Sequence, residues 1–292
     1  MSEVGVAAPS YRLPPDLRLG GVRLQVADLG RSVGYYESVL GLFTKERTEG
    51  RAALGPVDGD GVLVELIERP GADPVPRGGR LGLYHFAILL PDRAALGRFA
   101  AHLSLLGIGP GAADHHVSEA LYLTDPDGLG IEVYADRPRE AWLRRGRELV
   151  MTTEALDLEA LAAAGGEEPW AGAPGGTVMG HVHLHVGDLE AASAFYHDAL
   201  GLDVTVWSYP GALFLSAGGY HHHLGLNTWA AGAPPAGEGD ARLLEWELIL
   251  PTADDADAAL GRLEAAGHPV DRDAGGGLVW DPWGTALRVR MG

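Results

Sequence analysis

One stretch of pattern recurs four times along this chain, and that recurrence restricts its fold more than any other feature. LQVADLGRSVGYYESVLGL (Leu24 to Leu42) returns as LHVGDLEAASAFYHDALGL (Leu184 to Leu202), 160 residues later. AILLPDRAALGRF (Ala87 to Phe99) is echoed by ELILPTADDADAAL (Glu247 to Leu260), again 160 residues on. LTDPDGLGIEVY (Leu123 to Tyr134) has a weaker counterpart in VWDPWGTALRVRM (Val279 to Met291).

The repeating element is an alternating strand, an acid-capped helix ending in Leu-Gly, and three short strands. In the first copy the strand is Val22 to Val26 and Asp28 is a natural N-cap for a helix through Leu40. Gly41 then stands where a helix C-terminus favours a left-handed residue. The spacing predicts an α+β chain of four βαβββ units near 18–70, 81–137, 179–231 and 241–291. The joints RPGADPVPRGGR, GGEEPWAGAPGG and AAGAPPAGEGD separate them. The longest connection, 138–178, is expected to carry a helix from Arg139 to about Ala164. The halves read as two domains, 18–137 and 179–291.

Four such units in two pairs resemble the vicinal oxygen chelate superfamily of glyoxalases, bleomycin and fosfomycin resistance proteins, and extradiol dioxygenases. The resemblance implies that paired units close a curved sheet into a cup, with a metal held by residues of their first and fourth strands. It bears on fold more than on activity, because the superfamily hosts several chemistries.

Aligned on the residues that start each helix, the first strands read GVRLQVAD, HFAILLPD, HVHLHVGD and EWELILPT. The opening positions are Gly21, His85, His181 and Glu245. At the fourth strand, unit 2 has Glu132 where unit 4 has Arg288, a permanent cation that cannot ligate a metal. Units 2 and 3 together supply His85, Glu132 and His181. Two histidines and a carboxylate bind non-haem Fe(II) on one face and leave other positions open. The metal cup is therefore predicted between units 2 and 3, with units 1 and 4 pairing without a metal. Oxygen and nitrogen ligands also suit Mn(II). A His-x-His pair on the strand of His181, His183 and His185 is an alternative zinc chelate, and lone histidines such as His102, His197 and His268 read as structural.

The segment ADHHVSEALYLTDPDGLGIEVY (Ala113 to Tyr134) closes unit 2. Its Asp125-Pro126-Asp127-Gly128 run is a strong turn signal. The spacing from His115 through Tyr122 and Pro126 to Glu132 resembles the signature of extradiol ring-cleaving dioxygenases, departing from it at Ala113. This segment and SAGGYHHHLGLNTW (Ser216 to Trp229) are also similar to a bacterial catechol 2,3-dioxygenase subgroup. The resemblance implies an Fe(II)-dependent enzyme that opens catechol with O2 to 2-hydroxymuconate semialdehyde, in aromatic-compound breakdown. By the same resemblance His115 hydrogen-bonds substrate or intermediate, Tyr122 donates to developing oxygen charge, and His222 is the base. Histidine suits proton transfer because its unperturbed pKa, about 6.5, lies near working pH. Strand alternation lets either His222, or His221 together with His223, face the cup. His183, His221 and His223 are candidate substrate contacts, while His116 falls outside the signature register. The rival readings are a glyoxalase-like isomerase or lyase, with a more carboxylate-rich site, and a metal-free small-molecule-binding resistance protein.

Composition narrows the partners. Forty acidic residues against 22 basic give a net charge of −18, a field that repels nucleic acid and anionic membrane surfaces. Arginines do gather in DRPREAWLRRGRE (Asp136 to Glu148), which reads as a solvated amphipathic linker helix because acids are interleaved. There is no cysteine, hence no disulfide or thiolate site. The start MSEVGVAAPSYRLPPDLRL lacks the pattern of a secretion signal. These features suggest a cytoplasmic enzyme or binding protein; the resemblance implies catechol or a substituted catechol and O2 as its partners, and a homo-oligomer is open.

Overall fold

The computed structural model describes residues 6–59 and 61–292. The first five residues of the supposed leader-free start, and Asp60 within unit 1, lie outside the described residues. Unit 1 contains β1 (Arg18–Val26), α1 (Leu29–Ser38), β2 (Phe43–Thr48), β3 (Arg51–Gly55) and β4 (Val64–Glu68). Unit 2 contains β5 (Gly82–Leu89), α2 (Arg93–Leu105), β6 (Gly111–Asp114), β7 (Ser118–Thr124) and β8 (Gly130–Asp136). The connection holds β9 (Arg144–Arg145), β10 (Glu148–Leu149) and α3 (Leu158–Ala164). Unit 3 follows with β11 (Val178–His185), α4 (Leu189–Ser193), β12 (Asp203–Val206), β13 (Ala212–Ser216) and β14 (Leu224–Asn227). Unit 4 has β15 (Arg242–Leu250), α5 (Ala253–Ala265), β16 (Val270–Asp273), β17 (Gly276–Trp280) and β18 (Ala286–Met291).

The same local chemistry starts and stops each helix. Asp28, Asp92, Asp188 and Thr252 accept from the backbone N–H three residues on, a cap that contributes about 1 kcal/mol. Gly41, Gly107, Gly201 and Gly267 follow the helices with positive φ, a conformation in which a side chain would be strained.

The strands form two eight-stranded sheets, ordered β16-β17-β18-β15-β1-β4-β3-β2 and β12-β13-β14-β11-β5-β8-β7-β6. Unit 1 thus pairs with unit 4, and unit 2 with unit 3, as the ligand pattern predicts. Each half of the sequence contributes one unit to each sheet. The central joint of the second sheet is the antiparallel β5–β11 pair, with β8 and β14 running parallel on either flank.

Side-chain bonds tie units within each half, across the two sheets. Tyr36 of α1 is buried, stacks at 6.4 Å on Phe86 of β5, and donates to Asp125 Oδ2 at 3.3 Å. Its repeat mate Tyr196 donates to Asp281 Oδ2 at 3.0 Å. In both turns the aspartate also accepts two backbone N–H groups, so the Asp-Pro turn is a built junction.

The connection departs from expectation. Neither a helix over Arg139–Ala164 nor one over Asp136–Glu148 forms. A 3-10 turn at Arg139–Ala141 leads into the β9–β10 ribbon, and only Leu158–Ala164 is α-helical. Gly146 has φ 66° and turns the ribbon between Arg145 and Glu148. Glu148 is then buried, accepting from the Trp207 and Ser208 amides at 2.8 and 2.6 Å, an arrangement that a solvated helix would forgo.

Candidate metal centre

Register on the β5–β11–β8 strands builds the site. Ala87 of β5 is paired with His181 across β11 and with Glu132 across β8. His85, two residues before Ala87, shares its face because strand side chains alternate. The small, fully buried Ala87 leaves its neighbours free to lean together over it. His85 Nε2 lies 3.0 Å from Glu132 Oε2, His181 Nε2 lies 3.1 Å from the same oxygen, and the two nitrogens are 3.4 Å apart.

This triangle fits a divalent cation. Ligands about 2.1 Å from an ion and about 90° apart stand about 3.0 Å from one another, and tetrahedral angles widen that to about 3.4 Å. The three residues are at most 5% exposed, so the carboxylate has little water to balance its charge. Burial pushes Glu132 upward, but the hydrogen bonds and charge of His181 and His85 outweigh it and hold Glu132 well below the usual carboxylate range. Burial brings His181 down to about 4 against the pull of Glu132, which keeps its ring neutral, the form that ligates. His85, Glu132 and His181 are also the group of histidines and carboxylates that converges closely enough to hold an ion among the described residues.

A cavity of 320 Å3 opens over the triangle, lined by His85, Glu132, His115, Tyr122, His183 and His222 on its polar side. Tyr84, Phe214, Trp229, Tyr209, Met151, Ala112 and Ala113 form its apolar wall. Tyr122 and Glu132 face each other across β7 and β8 on the cup side. His115 Nδ1 lies 2.6 Å from the Thr152 carbonyl, which can only accept, so Nδ1 carries the proton. With that single ring hydrogen, Nε2 is the acceptor for the Tyr122 hydroxyl at 2.6 Å. Burial and the nearby Glu132 raise the Tyr122 phenol well above its ordinary value, so it remains a proton donor. His116 takes φ 66° and turns outward to Glu154.

The three consecutive histidines divide. They precede β14 rather than belonging to a strand, so simple alternation does not govern them. His222 borders the cavity with its ring 4.0 Å from that of His181. His221 lies behind it, bonded to Asp136, and His223 lines a different, 780 Å3 cavity bordered by residues of both sheets. Neither is placed as a substrate contact, because the backbone bend sends each ring away from the cup. His183 does reach the cup. Gly225 makes room for it, since a Cβ there would stand 2.7 Å from the His183 ring, and its buried Nε2 has no hydrogen-bond partner among the described residues. His185 bonds Asn227 at 2.7 Å, so the His-x-His alternative finds no converging atoms beyond His181.

The remaining histidines are used structurally. His102 bonds the Ser38 carbonyl, His197 bonds the Leu202 and Ala7 carbonyls, and His268 packs on Phe195. In the other sheet Arg288 donates to Glu245 at 3.1 Å, an ion pair at the positions where the candidate metal cup has Glu132 and His85.

Sequence reasoning missed Tyr84, Met151, Thr153 and Tyr209. Three of them come from the connection or from a loop beside it, where no periodicity marks a facing side. Tyr84 sits next to His85, where alternation predicts the opposite face.

A family profile described as the glyoxalase/bleomycin resistance protein/dioxygenase superfamily matches residues 18–133 and 178–287. A Bacillus subtilis (strain 168) protein, catechol-2,3-dioxygenase, is 46% identical over 271 residues, covering 91% of this chain and 94% of its own. Among solved structures, a Bacillus subtilis protein aligns with TM-score 0.63 at 13% identity, over 98% of this chain and 86% of that one. Glyoxalase I from Zea mays aligns with TM-score 0.57 at 20% identity, over 94% and 92%. The structural likenesses show a shared fold.

Proposed function

The chain belongs to the glyoxalase/bleomycin resistance protein/dioxygenase superfamily, and from that membership we propose that it is an Fe(II)-dependent extradiol dioxygenase opening catechol with O2 to 2-hydroxymuconate semialdehyde. The observation that carries this reading is one cavity lined by His85, Glu132, His115, Tyr122 and His222, with His181 completing the triangle that His85 and Glu132 begin. The likeness to the Bacillus catechol-2,3-dioxygenase supports it.

His85, Glu132 and His181 would hold Fe(II), which would supply a Lewis-acidic, redox-active centre for the catechol oxygens and for dioxygen. The protein supplies the rest. Phe214 and Trp229 give an aromatic ring apolar surface to pack on, and the cavity can hold one ring with modest substituents. His183 offers its unpaired Nε2 to a substrate oxygen. His222, held neutral by burial, is placed to take a catechol hydroxyl proton. The Tyr122 hydroxyl can turn from His115 toward developing oxygen charge, with His115 as its exchange partner.

A metal-dependent isomerase of the glyoxalase kind would share the fold. The Tyr122–His115 pair favours the dioxygenase, since it puts a phenol and an imidazole where ring opening needs proton transfer. No helix among the described residues is long and apolar enough to cross a membrane, and a cytoplasmic location is part of the proposal. The test is anaerobic loading with Fe(II), then catechol and air. A yellow ring-fission product is expected. Absence of colour with catechol and with substituted catechols would overturn the reading.

A further inference from the structure

Behind the cup, three polar side chains connect in a line from the half-buried Asp136 to His222. His221 Nε2 lies 2.9 Å from Asp136 Oδ1, and His221 Nδ1 lies 2.7 Å from His222 Nδ1. Asp136 is 27% exposed at its side chain, whereas His221 is fully buried between the Tyr220 and Trp142 rings at 4.1 and 5.3 Å. The Asp136 oxygen also accepts from Tyr220, whose hydroxyl lies 2.7 Å from that of Tyr134.

Hydrogen-bond capacity sets the direction of this line. A carboxylate only accepts, so His221 Nε2 carries a hydrogen and donates to Asp136. With one hydrogen on each ring, His221 Nδ1 is then an acceptor, and the hydrogen between the two rings belongs to His222 Nδ1. Nothing among the described residues hydrogen-bonds His222 Nε2, and the ring borders the cavity. We propose that Asp136 and His221 are positioning residues that fix the proton of His222 on Nδ1, leaving the Nε2 lone pair turned into the cup.

The inference deepens the dioxygenase reading, since a base there needs that lone pair free. Without the line, the isolated His222 ring could hold its hydrogen on Nε2 and face the cup as a donor, the wrong form to take a hydroxyl proton. Burial alone does not choose the nitrogen. Asp136 makes that choice through His221.

Two measurements on the full chain test it. In 15N-histidine-labelled protein containing the diamagnetic Zn(II) ion, His222 is expected as the Nδ1–H form, shifting toward a mixture in Asp136→Ala. A His222 with its hydrogen on Nε2, or a doubly protonated His221, in the unsubstituted protein would overturn the proposal. In the Fe(II)-loaded protein, Asp136→Ala and His221→Phe should each lower kcat about 10²-fold with iron content and the KM for catechol little changed. Adding either to His222→Ala should cost nothing further. Additive losses, or losses that only follow iron content, would overturn it. If the unsubstituted protein opens no catechol, the dioxygenase reading fails while the 15N spectra still decide the positioning of His222.

Discussion

Glu132 and His181 belong to strands that do not pair with each other, yet their donor atoms lie 3.1 Å apart because each is paired in register with Ala87. The site is thus a property of the β5–β11 junction, and it exists only when units 2 and 3 share a sheet. Replacing His181 with Ala should abolish stoichiometric Fe(II) binding in an anaerobic titration. The ring packs among His85, Tyr134 and His222 without bridging the sheet, so the fold should survive by circular dichroism. Full iron occupancy in that variant would remove the centre from these residues.

Tyr122→Phe deletes one oxygen and leaves His115 Nε2 without its donor. Iron content should be unchanged while kcat falls by about 10²-fold, the loss typical of removing a hydrogen-bond donor aimed at developing charge. The readout is kcat per bound iron, which separates this effect from metal loss. An unchanged rate would leave the phenol outside the chemistry.

The repeat made most of this legible. Equivalent caps and helix-ending glycines recur in all four units and turn aspartates in units 2 and 4, so the units could be read directly, and the ligand types singled out units 2 and 3. The connection was opaque for a physical reason. Its Arg-rich stretch has helical composition, but Glu148 is spent on two amides of the 207–208 loop, a distant demand that no local pattern reveals. The His221–His223 run was opaque for another, because a bend before β14 replaces strand alternation. What sequence alone cannot show is which neighbour lies behind His221; Asp136 is 85 residues away.

Asp125 gives a pH dependence of stability. Burial raises its carboxyl to about 6 from 3.8, against the hydrogen bonds from Leu129, Asp127 and Tyr36. The folded state therefore binds a proton more tightly than the unfolded chain between those values. The sign follows: this group's contribution is most favourable below about pH 4, declines as pH rises, and levels off above about 6. Asp125→Asn keeps an acceptor and removes the titration. The stability difference between the two proteins should change by about 2–3 kcal/mol between pH 4 and 7, in favour of the asparagine variant at the higher pH. Urea unfolding at several pH values measures it, and a constant difference would show that Asp125 titrates normally.

Glu148 links the connection to the cup without touching substrate. Its Oε1 holds the Trp207 and Ser208 amides, and the next residue, Tyr209, lines the cavity and shares a 2.7 Å hydrogen bond with Thr153. In Glu148→Ala both amides lose their acceptor, at a cost of about 1–3 kcal/mol for each that stays buried. The loop would relax and carry Tyr209 away from Thr153, opening that part of the cavity wall. Because the triangle, Tyr122 and His222 are untouched, the loss should fall on binding: the KM for catechol should rise about tenfold while kcat holds within about twofold. Glu148→Gln retains an oxygen acceptor for the amides and should restore most of the affinity. A fall in kcat with KM unchanged would mean that the 207–209 loop governs the chemistry rather than the fit of the ring.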